Sequence, residues 1–282
     1  MGLESESTMN RDAFVARFDL CDNLSDYTNA VATDISTVGT KCKKNMKWTW
    51  NSGRSGKTEM FGYSAVSPDK SYIIAAGTRQ GSSKNIAQRW LVKLDANTGQ
   101  VSQLNHRHAT NKQNKSLKPM SCLVWHSRKG EQIWEIRMPT NESGIGKFSG
   151  YESVAFTADG GFVAGGFANG QHDSIDTLHY KSGGQVDSGS PLAQKFSAAV
   201  ANTGKTSGTL SATPEWTFQC GGQGSTNCSG MVGAFNTMRV FTENGVEKIA
   251  STFRLPKSAI ITLNASNGTE DRFAKTNNKG QG

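Results

Sequence analysis

A phrase recurs along this chain about every 80 to 90 residues, and that repetition constrains the fold more than any single residue does. Each copy holds an apolar strand, a Gly-centred turn, a strand ending in Ala-Gly or Gly-Gly, a strand ending in Leu-Asp or a relative, and a closing Trp. Gly62-Tyr63-Ser64-Ala65-Val66 aligns with Gly150-Tyr151-Glu152-Ser153-Val154 and, more weakly, with Gly233-Ala234-Phe235-Asn236-Thr237, at separations of 88 and 83 residues. Trp50, Trp134 and Trp216 keep the same step, 84 and 82 residues apart. Glycine makes up 31 of 282 residues, well above the usual ~7 %, as many tight turns require. Long Ala/Leu/Glu/Lys helical stretches are missing. The expectation is one all-β domain.

The better-preserved copies give the unit. Gly62 to Ser67 alternates as a short strand, and Pro68-Asp69-Lys70-Ser71 is turn chemistry. Tyr72 to Ala76 is continuously apolar, as a strand buried on both faces requires. Trp90 to Leu94 makes a third strand, stopped by Asp95-Ala96-Asn97-Thr98-Gly99, and Gln132 to Ile136 supplies a fourth. The next copy is read as Ser153 to Phe156, Gly161 to Ala164, Ile175 to Tyr180 and Glu215 to Phe218. Four short antiparallel strands are the content of a propeller blade.

Asp12-Ala13-Phe14-Val15-Ala16-Arg17-Phe18-Asp19 and Ala158-Asp159-Gly160-Gly161-Phe162-Val163-Ala164-Gly165-Gly166 resemble the repeats of bacterial and algal β-propeller proteins whose units read "DAFVAKLD…W" and "DGGYIVAGGT". Leu94-Asp95-Ala96-Asn97-Thr98-Gly99 is similar to the turn of pyrroloquinoline-quinone-type propeller repeats. The resemblance implies a β-propeller of four-stranded blades. It leaves activity open, because such propellers serve as enzymes, ligand binders and assembly scaffolds. Quinone-dependent relatives often carry adjacent cysteines, which this chain lacks, and the Trp that should close the Leu94 to Gly99 turn is delayed to Trp134. No cofactor is expected.

The insertions fall between the third strand and the closing Trp, over 20–47, 100–132 and 181–214. Loops at one place in successive blades leave one face of the ring, where binding resides on a rigid scaffold. The middle insertion concentrates His106, Arg107, His108, Lys112, Lys115 and Lys118, followed by Arg128 and Lys129. Together with a net charge of +8, this basic stretch is the candidate ligand-binding segment for an anion such as acidic glycan. It has no interleaved aromatics for base stacking, which disfavours nucleic acid. His106, His108 and His126 lack a companion carboxylate cluster, so no metal site is assigned. Asn51 to Thr58 approximates a phosphate loop, but Asn51 replaces its first Gly and a strand pattern follows it in place of a helix. No catalytic residue emerges.

Trp48, Trp50, Trp134 and Trp216 are assigned to blade-closing strands, their rings filling the wedge between blades. Cys21 with Cys42 and Cys220 with Cys228 each bracket a segment that could fold back to form a disulfide, leaving Cys122 free. Sequons at Asn23, Asn114, Asn141, Asn227, Asn264 and Asn267 suit a glycosylated extracellular or luminal protein. The written N-terminus does not read as a signal peptide, and no apolar run reaches the ~18 residues of a membrane span.

Blade counting gives a partial blade at 11–50, blades at 60–137 and 150–219, a partial blade at 232–265 and a polar tail at 266–282. That is slightly more than three blades, so the expectation is a small four-bladed ring or a segment of a larger propeller. The functional expectation is a non-catalytic interaction or assembly scaffold with other protein subunits as partners. The alternative is a glycan-binding or polysaccharide-active propeller acting on acidic polysaccharide.

Overall fold

The computed structural model describes residues 13–18, 46–52, 58–82, 86–101, 128–169, 189–206, 208–221, 227–228, 231–253 and 259–275. These residues are all-β with one short helix. They divide into two compact units, one built from 51–97 and 132–282 and a smaller one from 15–50 and 98–131.

The larger unit contains three four-stranded meanders. The first meander, in the order β6-β5-β4-β3, is part of a six-stranded sheet and comprises β3 (Glu59–Val66), β4 (Tyr72–Gln80), β5 (Ala87–Val101) and β6 (Arg128–Arg137). The second comprises β7 (Gly150–Phe156), β8 (Phe162–Ala168), β9 (Ser190–Phe196) and β10 (Trp216–Gln219). Its third-to-fourth connection carries helix α1 (Ala198–Asn202), capped by the Ser197 hydroxyl. The third sheet comprises β11 (Thr237–Glu243), β12 (Val246–Phe253), β13 (Ala259–Asn264) and β14 (Glu270–Lys275). In the smaller unit β1 (Phe14–Phe18) lies beside β2 (Met46–Asn51), and β2 pairs in parallel with the start of β6, Trp48 with Arg128 and Thr49 with Lys129.

Apolar faces hold the three meanders in series. Between the first and second sheets, Tyr72, Ile74, Ala76, Leu91 and Trp134 meet Val154, Phe162, Ala164 and Phe196. Between the second and third, Val163, Ala193 and Phe218 meet Phe235, Met238, Ile249, Ile261 and Leu263. A sheet covered on both faces cannot alternate polar and apolar residues, and β4 and β8 are accordingly buried along their whole length. The third sheet differs. Met238, Ser251, Ile261 and Phe273 form a cross-strand row facing the second sheet, whereas Arg239, Ala250, Thr262 and Arg272 form a row on the outer face. The outer row Thr237, Thr252, Ile260 and Ala274 is exposed throughout.

The same turn chemistry closes the first hairpin of two sheets. Asp69 accepts from the Ser67 hydroxyl and the Ser71 N–H, and Asp159 accepts from the Thr157 hydroxyl and the Gly161 N–H. Lys70 and Gly160 occupy the left-handed position between them, with φ of 62° and 82°. The Ser67 hydroxyl, then that of Ser71, holds Asp69 at about 2. Burial would raise Asp159, but Lys195, Thr157 and the Gly161 N–H outweigh it and bring it to about 2.

Hydrogen-bond register moves the repeat away from the glycine alignment. Phe61 pairs with Gly77 and Tyr63 with Ala76, so Gly62 is bulged out; Tyr151 pairs with Gly166 and Ser153 with Gly165, so Glu152 is the bulged residue. Gly62 is therefore equivalent to Glu152, a step of 90 residues rather than 88. Matching glycine to glycine fails because crowding differs between copies. At Gly150 an added methyl would strike Thr78 and Phe167, whereas at Gly62 it would strike the backbone of Glu152.

Two further expectations are corrected. The third strand of the second sheet is Ser190–Phe196, within the segment read as an insertion; Ile175 to Tyr180 lies outside the described residues. Pro191 near its start reads as loop chemistry, and a proline is tolerated there. Residues 170–188, between β8 and β9, lie outside the described ones, whereas 197–215, with α1, joins this third strand to the Trp216 strand, the place in the repeat where an insertion was expected. Glu270–Lys275, read as tail, is the fourth strand of the third sheet. Its exposed Asp271, Arg272 and Lys275 look like tail because charges protect a sheet edge from unwanted pairing.

The packing gives a clear mutational contrast. Trp134 is fully buried and stacks near Phe162 with ring centroids 6.4 Å apart. Trp134→Ala is expected to lower unfolding free energy by about 3 to 5 kcal/mol, whereas Tyr63→Ala, at a site 54 % exposed, should stay within about 0.5 kcal/mol of the wild type. Urea denaturation of both variants measures the difference.

Candidate functional site

The basic segment His106, Arg107, His108, Lys112, Lys115 and Lys118 lies outside the described residues, as do Cys21 and Cys42. Arg128 and Lys129 open β6 and are placed by backbone pairing beside Trp48 and Thr49. Trp48 and Trp50 are buried in β2 against Gly130, where an added methyl would lie 2.8 Å from the Trp48 ring. Trp134 lies in β6 and Trp216 in β10, the fourth strands of their sheets, and the Trp216 indole donates to Ala265 O at 3.0 Å. Cys220 and Cys228 form a disulfide within the core between the second and third sheets. Thr58 leads directly into β3, so a strand follows the phosphate-loop-like segment. Among the described residues no group of three or more His, Cys, Asp or Glu is placed to hold a metal ion.

The chemistry that the structure gathers lies elsewhere, on the first strand of each meander. The N–H of Ser149 bonds Ala87 O, and the N–H of Gly233 bonds Gly189 O in the same way one sheet later. Counting three residues on from each places Asn236 where Glu152 stands, and Glu152 in turn matches Gly62. These three equivalent residues meet. A methyl on Gly62 would overlap the Glu152 carbonyl oxygen and come within 2.8 Å of its Cα. With the Asn236 amide oriented to satisfy both ends, Nδ2 donates to Glu152 Oε2 at 2.8 Å and to Ala234 O at 3.2 Å. Ser153 adds a bond from its hydroxyl to Phe235 O at 2.8 Å.

Glu152 is 9 % exposed, and its Oε1 has no hydrogen-bond partner among the described residues. Burial disfavours its charged form and pushes the carboxyl up to about 7. Next to it, Tyr151 points into a second polar group. Its hydroxyl donates to Gln194 Oε1 at 2.5 Å, and Arg89 Nη1 donates to the same oxygen. Arg89 Nη2 reaches Glu142 Oε2 at 2.5 Å and Pro139 O at 3.3 Å, while Gln194 Nε2 donates to Thr217 at 3.0 Å. Burial raises Tyr151 above the ordinary phenol range, outweighing the opposing pull of Arg89.

The two groups have different chemical characters. The Arg89 cluster closes on itself: the Glu142 carboxylate, the Gln194 amide oxygen and the Pro139 carbonyl accept from the guanidinium, the Tyr151 phenol shares the Gln194 oxygen, and the group fastens the first sheet to the second. Glu152 has no cation bonded to it among the described residues, and burial favours its protonated form. Neither was singled out by sequence reading. The available signal was a charged residue placed against an apolar run, Arg89 before Trp90-Leu91-Val92 and Glu152 before Ser153-Val154-Ala155-Phe156. Such a residue must be paired or neutral once the run is buried.

No protein-family model matches the chain, and no curated protein matches its sequence.

A double-mutant cycle tests the Arg89 cluster. Arg89→Met should cost about 2 to 4 kcal/mol, because it strands the Glu142 carboxylate and the Gln194 amide. Combined with Glu142→Leu, the loss should fall short of the sum of the two single losses by about 1 kcal/mol or more, whereas independent sites would add.

Proposed function

We propose that this chain is a non-catalytic interaction or assembly module built on β-propeller blades. The observation that carries the reading is the row formed by Gly62 of β3, Glu152 of β7 and Asn236 just before β11, equivalent positions at the first strands of three consecutive meanders. Blades of a propeller meet along their innermost strands in this manner, each sheet packing face to face on the next.

The reading of a binding module rests on where polar chemistry is spent. Arg89, Gln194, Tyr151 and Glu142 bond one another. Arg79 is likewise engaged, by Glu59 at 2.7 Å and Glu135 at 2.8 Å. The Arg79 group ties strands within the first sheet and the Arg89 group ties that sheet to the second, which suits a rigid support that presents loops to partners. The polar outer face of the third sheet, with Arg239, Thr262 and Arg272, suits a terminal blade that meets solvent or a hydrophilic partner surface. The Cys220–Cys228 disulfide fits an oxidising compartment, and with it an extracellular or luminal assembly.

Light scattering with crosslinking and mass spectrometry on the protein purified from its native source tests the proposal. A stoichiometric complex with other protein subunits is the expected result. A particle of 30.3 kDa that crosslinks to nothing and turns over acidic polysaccharide would overturn it.

A further inference from the structure

We infer that Glu152 is a pH-sensitive latch: as a neutral acid it lets β3, β7 and the approach to β11 close on one another, and its ionisation loosens that junction. The inference goes beyond the scaffold reading and does not depend on the partner.

Geometry supports it first. Glu152 is the bulged residue of β7, so its backbone stands out of the β7–β8 ladder toward β3. Gly62 sits against it so closely that no side chain fits there. On the other side Asn236 closes on Oε2, and Oε1 is buried without a hydrogen-bond partner among the described residues. Asn236 serves Oε2 alone, so a carboxylate would leave Oε1 buried without a donor, at a desolvation cost that the neutral carboxyl lessens.

Among the described residues no charged side chain bonds Glu152; β4, which also packs on β7, turns Thr78 toward Gly150, and its Arg79 is held by Glu59 and Glu135. β3 faces Glu152 with Gly62, and the nearest titratable group along that strand is the exposed phenol of Tyr63. β8 contributes Gly165 and Gly166 opposite the bulge. The approach to β11 contributes Asn236, with Arg239 three residues further on and exposed. On β7 itself Tyr151 is committed to Gln194. Burial is the one cause that raises the carboxyl to about 7.

The direction of the effect follows from linkage. With the folded-state pKa raised above the ordinary 4.5, the folded protein binds the proton more tightly than the unfolded chain. Stability is therefore greatest below the unfolded value and declines as pH rises toward about 7, where the folded carboxyl itself begins to ionise. Between about pH 5.5 and about pH 8.5 this one group should lower the folding equilibrium constant by roughly thirtyfold.

The test compares urea unfolding of the wild-type chain and Glu152→Gln across that range, with hydrogen exchange read at β3, β7 and β11. Glu152→Gln is expected to remove the thirtyfold decline and the increase in exchange at these strands above about pH 7. Parallel pH profiles for the two proteins would overturn the latch. If Glu152→Gln does not fold, the carboxyl carbon of Glu152 in the wild-type protein, followed by NMR, decides. A midpoint near 7 upholds the latch, and a midpoint in the ordinary glutamate range of about 4 to 5 overturns it.

Discussion

The larger unit depends on how closely the first strands of successive sheets approach. At Gly62 the backbone of β3 meets the backbone of β7 with no room for a β-carbon. At Gly150 of β7 an added methyl would likewise lie 2.0 Å from the Thr78 hydroxyl oxygen of β4, in the neighbouring sheet. Glycine permits these approaches because it removes the atom that would otherwise hold strands apart. Once the inner strands are this close, the broad faces behind them can interdigitate. The large rings Trp134, Phe162, Phe196 and Phe235 then fill the space between sheets. Small residues near the junction and large ones further out are two parts of one wedge-shaped packing problem.

That geometry also explains why buried polar groups concentrate between the sheets. Backbones that pack tightly exclude water, so any charge caught among them must find a partner or stay neutral. Arg89 takes the first course through Gln194 and Glu142. Lys93 does the same, donating to Ala201 O at 2.6 Å and to Thr203 O at 3.2 Å beyond α1 while lying over the Tyr72 ring. Glu152 has only Asn236 on one oxygen, and burial pushes its carboxyl up to about 7. The equivalent positions on the neighbouring sheets are a glycine and an amide, so the repeat preserves the close approach while varying the chemistry placed on it.

The third sheet shows what the same scaffold does when one face is left open. Val163, Ala193 and Phe218 of the second sheet pack beneath its inner face, whereas the rows on its outer face carry Arg239, Thr237, Thr252 and Arg272. Alternation returns in β13, where Ala259, Ile261 and Leu263 are buried and Ile260 is exposed. Charges at the end of this sheet are paired on the surface, Lys248 with Glu243 and Asp271, each at 2.8 Å. A strand with one wet face can afford such residues; β4 and β8 cannot.

The sequence by itself determined the class of structure. Glycine-rich turns, continuously apolar runs such as Tyr72 to Ala76 and regularly spaced tryptophans specify short strands in repeated units, because turn chemistry and burial are local properties of the chain. The turn at Pro68 to Ser71 was legible for the same reason, whereas the hydroxyl bonds of Ser67 and Thr157 to Asp69 and Asp159 were not read. Only the tertiary structure decided the register of the repeat, the strand at Ser190–Phe196 and the edge strand at Glu270–Lys275. A bulge shifts the phase by one residue without changing composition, and an edge strand is polar because of what lies beside it. The Glu152 and Arg89 groups belong to this second kind. Their partners lie on other sheets, Gln194 105 residues from Arg89 and Asn236 on the approach to β11, and such contacts exist only after the sheets have stacked.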